Sequence, residues 1–158
     1  MMFLNKKNLY LVIKIIFISF LIFFPIRASE VRIIDGDTIH LNKDKIRFSG
    51  IDAPELNQTC ISNNQEVKCG IISKDLLTKK IANKKPFCIR EGVDQYRRIL
   101  AECFIDNESL SSFLVRKGYA FAYRRYSEKY IKDEDYAKEN LNGMWSMIFE
   151  FPWDYRRK

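Results

Sequence analysis

The chain has 158 residues, 47% hydrophobic and 30% charged, which excludes a disordered, collagen-like or multi-span membrane protein and suits one domain. The net charge of +7 is unevenly spread: Lys6, Lys7, Lys14 and Arg27 lie in the first 28 positions, which hold no acid. The remaining body carries 23 basic against 20 acidic residues, so nucleic acid is admissible as a partner but charge alone does not demand it.

Lys6 and Lys7 precede an apolar stretch from Leu9 to Phe24, 16 residues broken by Lys14 and Ser19. A full membrane span needs about 20 apolar residues. The pattern reads as a signal peptide over 1–28, cut after Ala28. Ile26 is not small, which weakens the cleavage pattern, and the alternative is an uncleaved membrane anchor. The expected localisation is therefore exported, periplasmic or secreted, with anchoring as the alternative. Cys60, Cys69, Cys88 and Cys103 all follow this segment. Their spacing lacks the close pairs of a zinc site, and an even count after a leader suits disulfides. Four cysteines allow three connectivities. The single histidine, His40, argues against a histidine-based zinc site or a Ser-His-Asp triad.

Val31–Ile34, Thr38–Leu41 and Lys45–Phe48 read as three short strands joined by tight turns, a meander. Residues 57–70 are polar and read as a loop. Apolar residues at 72, 76, 77 and 81 predict a helix over 71–81. Strands are expected over 86–90 and 99–105, and Tyr119–Tyr123 is β-prone. Ser111 is placed as the cap of a helix running to Lys117, with Gly118 just past its end. An amphipathic helix is predicted over 127–142, closed by Gly143. Together these suggest a small barrel carrying helices.

Asp35, Asp37, Asp52 and Glu55 stand at strand-to-turn junctions, and Pro54 stiffens the second turn. Carboxylates with a backbone carbonyl and waters make a hard-cation site. Arg47 and Arg98 supply planar forks suited to phosphate oxygens. Carboxylate base, cation and two arginines are the chemistry of phosphodiester hydrolysis. Taken singly, Asp35-Gly36-Asp37 is ordinary turn chemistry, and the arginines are ordinary surface charges.

In order, Val31–Ile39 (VRIIDGDTI), Ile46–Glu55 (IRFSGIDAPE), Asp94–Ala101 (DQYRRILA), Leu114–Ala120 and Asn142–Trp145 resemble the staphylococcal nuclease, or thermonuclease, family. The cysteine placement and the closing Pro152–Arg157 (PWDYRR) resemble its secreted bacterial members. The resemblance implies an α+β fold, an OB-type five-stranded β-barrel with about three helices. It implies an enzyme, a Ca²⁺-dependent nuclease that hydrolyses DNA and RNA with little sequence specificity. It implies metal ligands at Asp37, Asp52 and Ala53, the last through its carbonyl. It implies Glu55 as the residue that activates water, and Arg47 and Arg98 as phosphate-binding catalytic residues. Tyr96 and Tyr123 match nucleotide-contacting positions, and Asp35 a nearby acid of secondary role. Arg97 departs from the pattern, standing where the family often has glycine, and Gln95 replaces a basic residue.

The expected organisation is leader 1–28, barrel domain 29–147 and a basic, aromatic tail 148–158. No protein partner is implied, and a monomer is expected. The pairing Cys60–Cys69 would close the polar loop, and Cys88–Cys103 would join two neighbouring strands. The competing reading is an OB-type module that holds single-stranded nucleic acid without cutting it. Such modules lose the carboxylates or arginines, which this chain keeps. A third reading is a membrane-tethered barrel that binds another polyanion.

Overall fold

The computed structural model describes residues 30–158. The leader and anchor readings of 1–28 lie outside the described residues.

The described residues form an α+β fold of OB-like type. Three short strands, β1 (Val31–Ile33), β2 (Thr38–Leu41) and β3 (Asp44–Phe48), make the expected antiparallel meander. Strands β4 (Ile51–Asp52), β5 (Cys60–Ser62) and β6 (Gln65–Val67) follow, then helix α1 (Cys69–Ile81). Strands β7 (Phe87–Val93), β8 (Ile99–Ile105) and β9 (Glu108–Ser109) lead into α2 (Leu110–Arg116), β10 (Phe121–Ala122) and α3 (Ile131–Glu139). A 3₁₀ turn (Gly143–Ser146) and a short α4 (Pro152–Tyr155) finish the chain, one helix more than expected.

The principal sheet runs β1-β2-β3-β8-β7, with β9 added to β8, and β3 pairs with β8 in parallel through Ile46↔Ile99 and Arg47↔Leu100. Among the described strands this pairing alone is parallel. The crossover through α1 returns the chain in the same direction, and no local pattern signals which strands will meet. β7 and β8 are neighbours, with Cys88 opposite Cys103, and both predicted disulfides are present.

The core lies between this sheet and helices α1 and α2, where Ile39, Phe48, Leu77, Ile81, Leu110 and Leu114 are fully or almost fully buried. At the other end Phe121 sits inside an aromatic group, with Trp145, Phe149 and Phe151 at 5.1–5.4 Å between ring centroids. The stretch 57–70, expected to be a loop, contains the β5–β6 hairpin. Asn63 and Asn64 both take positive φ, as a two-residue hairpin turn requires. The strands themselves are polar and carry no alternation to betray them.

Helix boundaries differ from expectation, by two residues at the start of α1 and in three further ways. Ser109, not Ser111, caps α2, its Oγ accepting the Ser112 N–H at 3.3 Å. The α3 helix starts at Ile131 rather than 127. It ends at Asn140 and Leu141 rather than at Gly143, with Leu141 in the left-handed region at φ +50° and Asn142 N–H donating to Ala137 O at 2.9 Å. Gly118 ends α2 as expected: Gly118 N–H reaches Val115 O and Tyr119 N–H reaches Leu114 O, the Schellman arrangement. Its φ is +71°, and a Cβ there would lie 2.0 Å from the Asn142 carbonyl oxygen.

Gly118→Ala should therefore destabilise the fold by about 2 kcal/mol or more, because both the left-handed backbone and the approach to Asn142 forbid a methyl group. Urea denaturation measures it. A loss below half that value would show that the α2–α3 junction relaxes freely.

Candidate active site

Asp37 immediately precedes β2, Arg47 lies on β3, and Asp52 ends β4. The hairpin register pairs Thr38 with Arg47, and Phe48 N–H donates to Asp37 O at 2.8 Å, so Asp37 and Arg47 are held side by side. β4 pairs with β10 through Asp52↔Phe121, which buries Asp52 completely. Arg47 then joins the two acids. Its Nη1 donates to Asp37 Oδ1 and its Nη2 donates to Asp52 Oδ1 at 2.7 Å. Asp37 Oδ2 accepts the Ala53 N–H at 2.8 Å, and Asp37 Oδ1 also accepts from Thr38 Oγ1. Asp35 adjoins the group and accepts the Asp37 N–H at 3.0 Å.

Glu55 sits on the turn after β4. Its carbonyl accepts Gln58 N–H at 2.8 Å, and its own N–H donates to Gln58 Oε1 at 3.2 Å. The start of α1 abuts this turn: a Cβ on Gly70 would lie 1.7 Å from the Glu55 carbonyl oxygen, so only glycine lets the helix approach. Gln58 is fully buried and turns its Nε2 to Glu150 O at 2.7 Å. The second missed residue is Arg156, at the end of α4. Its Nη2 donates to Asp52 Oδ2 at 2.6 Å and its Nη1 to Glu55 Oε1 at 2.7 Å. Gln58 left no sequence signal beyond being polar in a polar stretch. Arg156 lay inside the closing Pro152–Arg157 run, but nothing local pointed it at Asp52.

Electrostatics follow the burial. Desolvation, with Asp37 beside it, raises the Asp35 carboxyl to about 6. Burial also pushes Asp52 up, with the Arg156 and Arg47 hydrogen bonds and charges pulling it back. Burial opposes the charge of Arg47, yet Asp37 and Asp52 outweigh it and raise its pKa further. Arg156 is raised in the same way by Asp52 and Glu55.

The structure thus gathers Asp37, Arg47, Asp52, Ala53 and Glu55 in one network. Arg98 and Tyr96 stand apart on the β7–β8 turn. Asp94 accepts Arg98 Nε at 2.6 Å and the Tyr96 N–H at 2.9 Å, and the Arg98 guanidinium lies 5.5 Å from the exposed Tyr96 ring. Tyr123 lies next to β4, its N–H donating to Gly50 O at 2.9 Å, and stacks on Trp153 with ring planes 1° apart. His40 pairs across β2 with Arg32 and Lys45, away from this group. Tyr123–Tyr126 forms a turn after β10, and Tyr126 is exposed. Glu134 packs inward and accepts the Ala122 N–H at 3.0 Å and Arg124 Nη2 at 2.6 Å.

The oxygen chemistry here fits a hard divalent cation: two carboxylates at Asp37 and Asp52, the Ala53 backbone and water-accessible surface near Glu55. Among the described residues no three acidic, histidine or cysteine side chains converge as a metal cluster, so water would complete any such site. Every oxygen of Asp37 and Asp52 already accepts a hydrogen bond from the protein.

Comparison with known sequences settles the family. The profile described as "Staphylococcal nuclease homologue" matches residues 45–147. The chain belongs to the staphylococcal nuclease family. It is similar to an "Uncharacterized endonuclease" of Haemophilus influenzae, 30% identical over 84% of this chain and 79% of that one. It is likewise similar to an "Uncharacterized endonuclease" of Escherichia coli, 29% identical over 84% and 86%. A "Probable staphylococcal-like nuclease CAN3" of Oryza sativa subsp. japonica is 29% identical over 77% of this chain but only 30% of its own length.

Arg97, where the family often has glycine, has φ +64°. An L-residue in this region carries about 1–2 kcal/mol of strain, and glycine returns about 0.4–1 kcal/mol through the unfolded chain. Arg97→Gly should therefore raise stability slightly, by about 0.5–1 kcal/mol, read as a higher denaturation midpoint. A lower midpoint would mean that the Arg97 side chain makes stabilising contacts that outweigh its backbone.

Proposed function

We propose that this protein is a Ca²⁺-dependent nuclease that hydrolyses phosphodiester bonds of DNA and RNA with little sequence preference. The observation that carries the reading is the single network of Asp37, Arg47, Asp52 and Glu55, drawn from three separate segments of a staphylococcal nuclease family member. Nucleic acids are its substrates, and it acts as a monomer. Two disulfides support a place outside the reducing cytosol, exported to the periplasm or medium.

Asp37, Asp52 and the Ala53 carbonyl would hold the cation, which when bound neutralises phosphoryl charge and makes water more acidic. Glu55, half-exposed beside buried Asp52, accepts the proton of the attacking water. The Arg98 guanidinium is bonded to Asp94 through Nε, which leaves its terminal nitrogens to meet phosphate oxygens, where negative charge grows. Both terminal nitrogens of Arg47 are engaged by Asp37 and Asp52. Without substrate its work is to hold the carboxylates, and a phosphate contact requires it to share that fork. Tyr96, with its ring exposed, offers a face on which a base can stack, and Tyr123, stacked on Trp153, lines the neighbouring surface.

Glu55→Gln should keep DNA binding and lower turnover by about 10²–10⁴-fold, since the amide cannot accept the proton. Arg98→Ala should lower turnover and DNA affinity together. Asp37→Ala and Asp52→Ala should raise the Ca²⁺ concentration required, and Asp52→Ala should also cost about 1–3 kcal/mol of stability, because it removes the buried carboxylate that Arg47 and Arg156 share. His40→Ala should change little. Plasmid cleavage with Ca²⁺ and with chelator, run beside thermal unfolding, decides it. Wild-type cleavage rates from both Glu55→Gln and Arg98→Ala would overturn the assignment, and binding without cleavage under any divalent metal would make this a binding module.

A further inference from the structure

Glu55 lies on a turn with 38% of its side chain exposed, whereas Asp52 is completely buried. A carboxylate so exposed samples several rotamers unless something holds it. Arg156 does so, one terminal nitrogen on Glu55 Oε1 and the other on Asp52 Oδ2. The planar guanidinium spans two carboxylates with one rigid group.

The arm that delivers it is itself fixed at several points. Pro152 is buried, Trp153 stacks on Phe151 at 4.6 Å and on Tyr123 at 5.7 Å, and the Tyr155 hydroxyl donates to Asn57 O. Gln58 ties Glu150, just before this arm, to the Glu55 turn. Ile148 pairs with Ile61 of the disulfide-closed hairpin in both directions, at 2.9 and 3.0 Å. The segment carrying Arg156 and the turn carrying Glu55 are thus tied together at several points.

Charge points the same way. Asp35, Asp37, Asp52 and Glu55 face two guanidinium groups, those of Arg47 and Arg156. Without Arg156 the cluster gains one net negative charge and frees an oxygen of Asp52. We propose that Arg156 is a positioning residue of the hydrolytic site: it clasps Glu55 to Asp52 and, by occupying those oxygens, weakens the hold on a divalent cation. This rests on the reading of Asp37, Asp52 and Glu55 as the hydrolytic site.

The two effects have opposite signs, which a general structural role does not produce. Arg156→Ala should bind Ca²⁺ about tenfold more tightly in calorimetry without nucleic acid, equivalent to about 1.4 kcal/mol. Its turnover on DNA should nevertheless fall about 10–100-fold, because Glu55 is no longer aimed. Arg156→Lys keeps the charge but not the fork, so Ca²⁺ affinity should stay within about twofold of wild type while turnover remains low. In chelator, a double-mutant cycle of Arg156→Ala with Glu55→Gln, read by urea denaturation, should show coupling between the two side chains. Unchanged or weaker Ca²⁺ binding by Arg156→Ala, wild-type turnover from it, or no coupling in the cycle each overturns the clasp. Coupling in a wild-type protein that neither binds Ca²⁺ nor cleaves DNA overturns the hydrolytic reading instead.

Discussion

The structure depends on one arginine placed between two buried acids. Arg47 bonds Asp37 and Asp52 with the two prongs of its fork, and neither carboxylate has appreciable access to water. A buried charge is tolerated only when paired and fully hydrogen-bonded, and removing one partner leaves the other uncompensated at a cost of about 3–5 kcal/mol. The surrounding sheet is arranged to make this triad possible. The β2–β3 hairpin sets Asp37 beside Arg47, the β4–β10 pair covers Asp52, and the Ala53 N–H takes the remaining oxygen of Asp37. The same pairing that stabilises the triad leaves excess negative charge in one place, and that excess is what a divalent cation would answer.

A second layer of support comes from the segment between β4 and α1. Its turn is braced from inside by buried Gln58 and from behind by Gly70, and its hairpin is closed by Cys60–Cys69. Residues 148–158 complete the bracing, with Ile148 paired to the hairpin and α4 carrying Arg156 into the acidic group. A buried amide such as Gln58 is costly unless its donors and acceptor are matched, and here they are matched to two backbone groups from distant parts of the chain. Rigidity at Glu55 is therefore a property of three segments together, not of the Asp52–Glu55 turn alone.

The β7–β8 turn is built differently. Arg98 is anchored by Asp94, four residues earlier, within one turn, and Arg97 accepts a left-handed backbone so that the turn can close. The turn leads into β8, which runs parallel to β3 with Arg47 aligned to Leu100. The Arg98 guanidinium is bonded through Nε to Asp94, whereas both terminal nitrogens of Arg47 are held by carboxylates.

Local chemistry determined much of this from the sequence alone. The meander followed from alternation and turn residues, and α1 from its 3.6-residue period. The end of α2 followed from Gly118, because these signals act within a few residues. The carboxylates and arginines were legible as an ordered set, and both disulfides followed from loop closure and neighbouring strands. Tertiary structure decided the rest. The parallel β3–β8 pairing, the polar β5–β6 hairpin and the end of α3 at Leu141 depend on what each segment packs against. Only the fold brings Arg156 to residues 101 and 104 positions away, and only burial gives Gln58 its role. A sequence records which side chains can carry charge or hydrogen bonds; which of them meet in a low-dielectric interior, where such contacts gain their strength, is settled by the packing that excludes water around them.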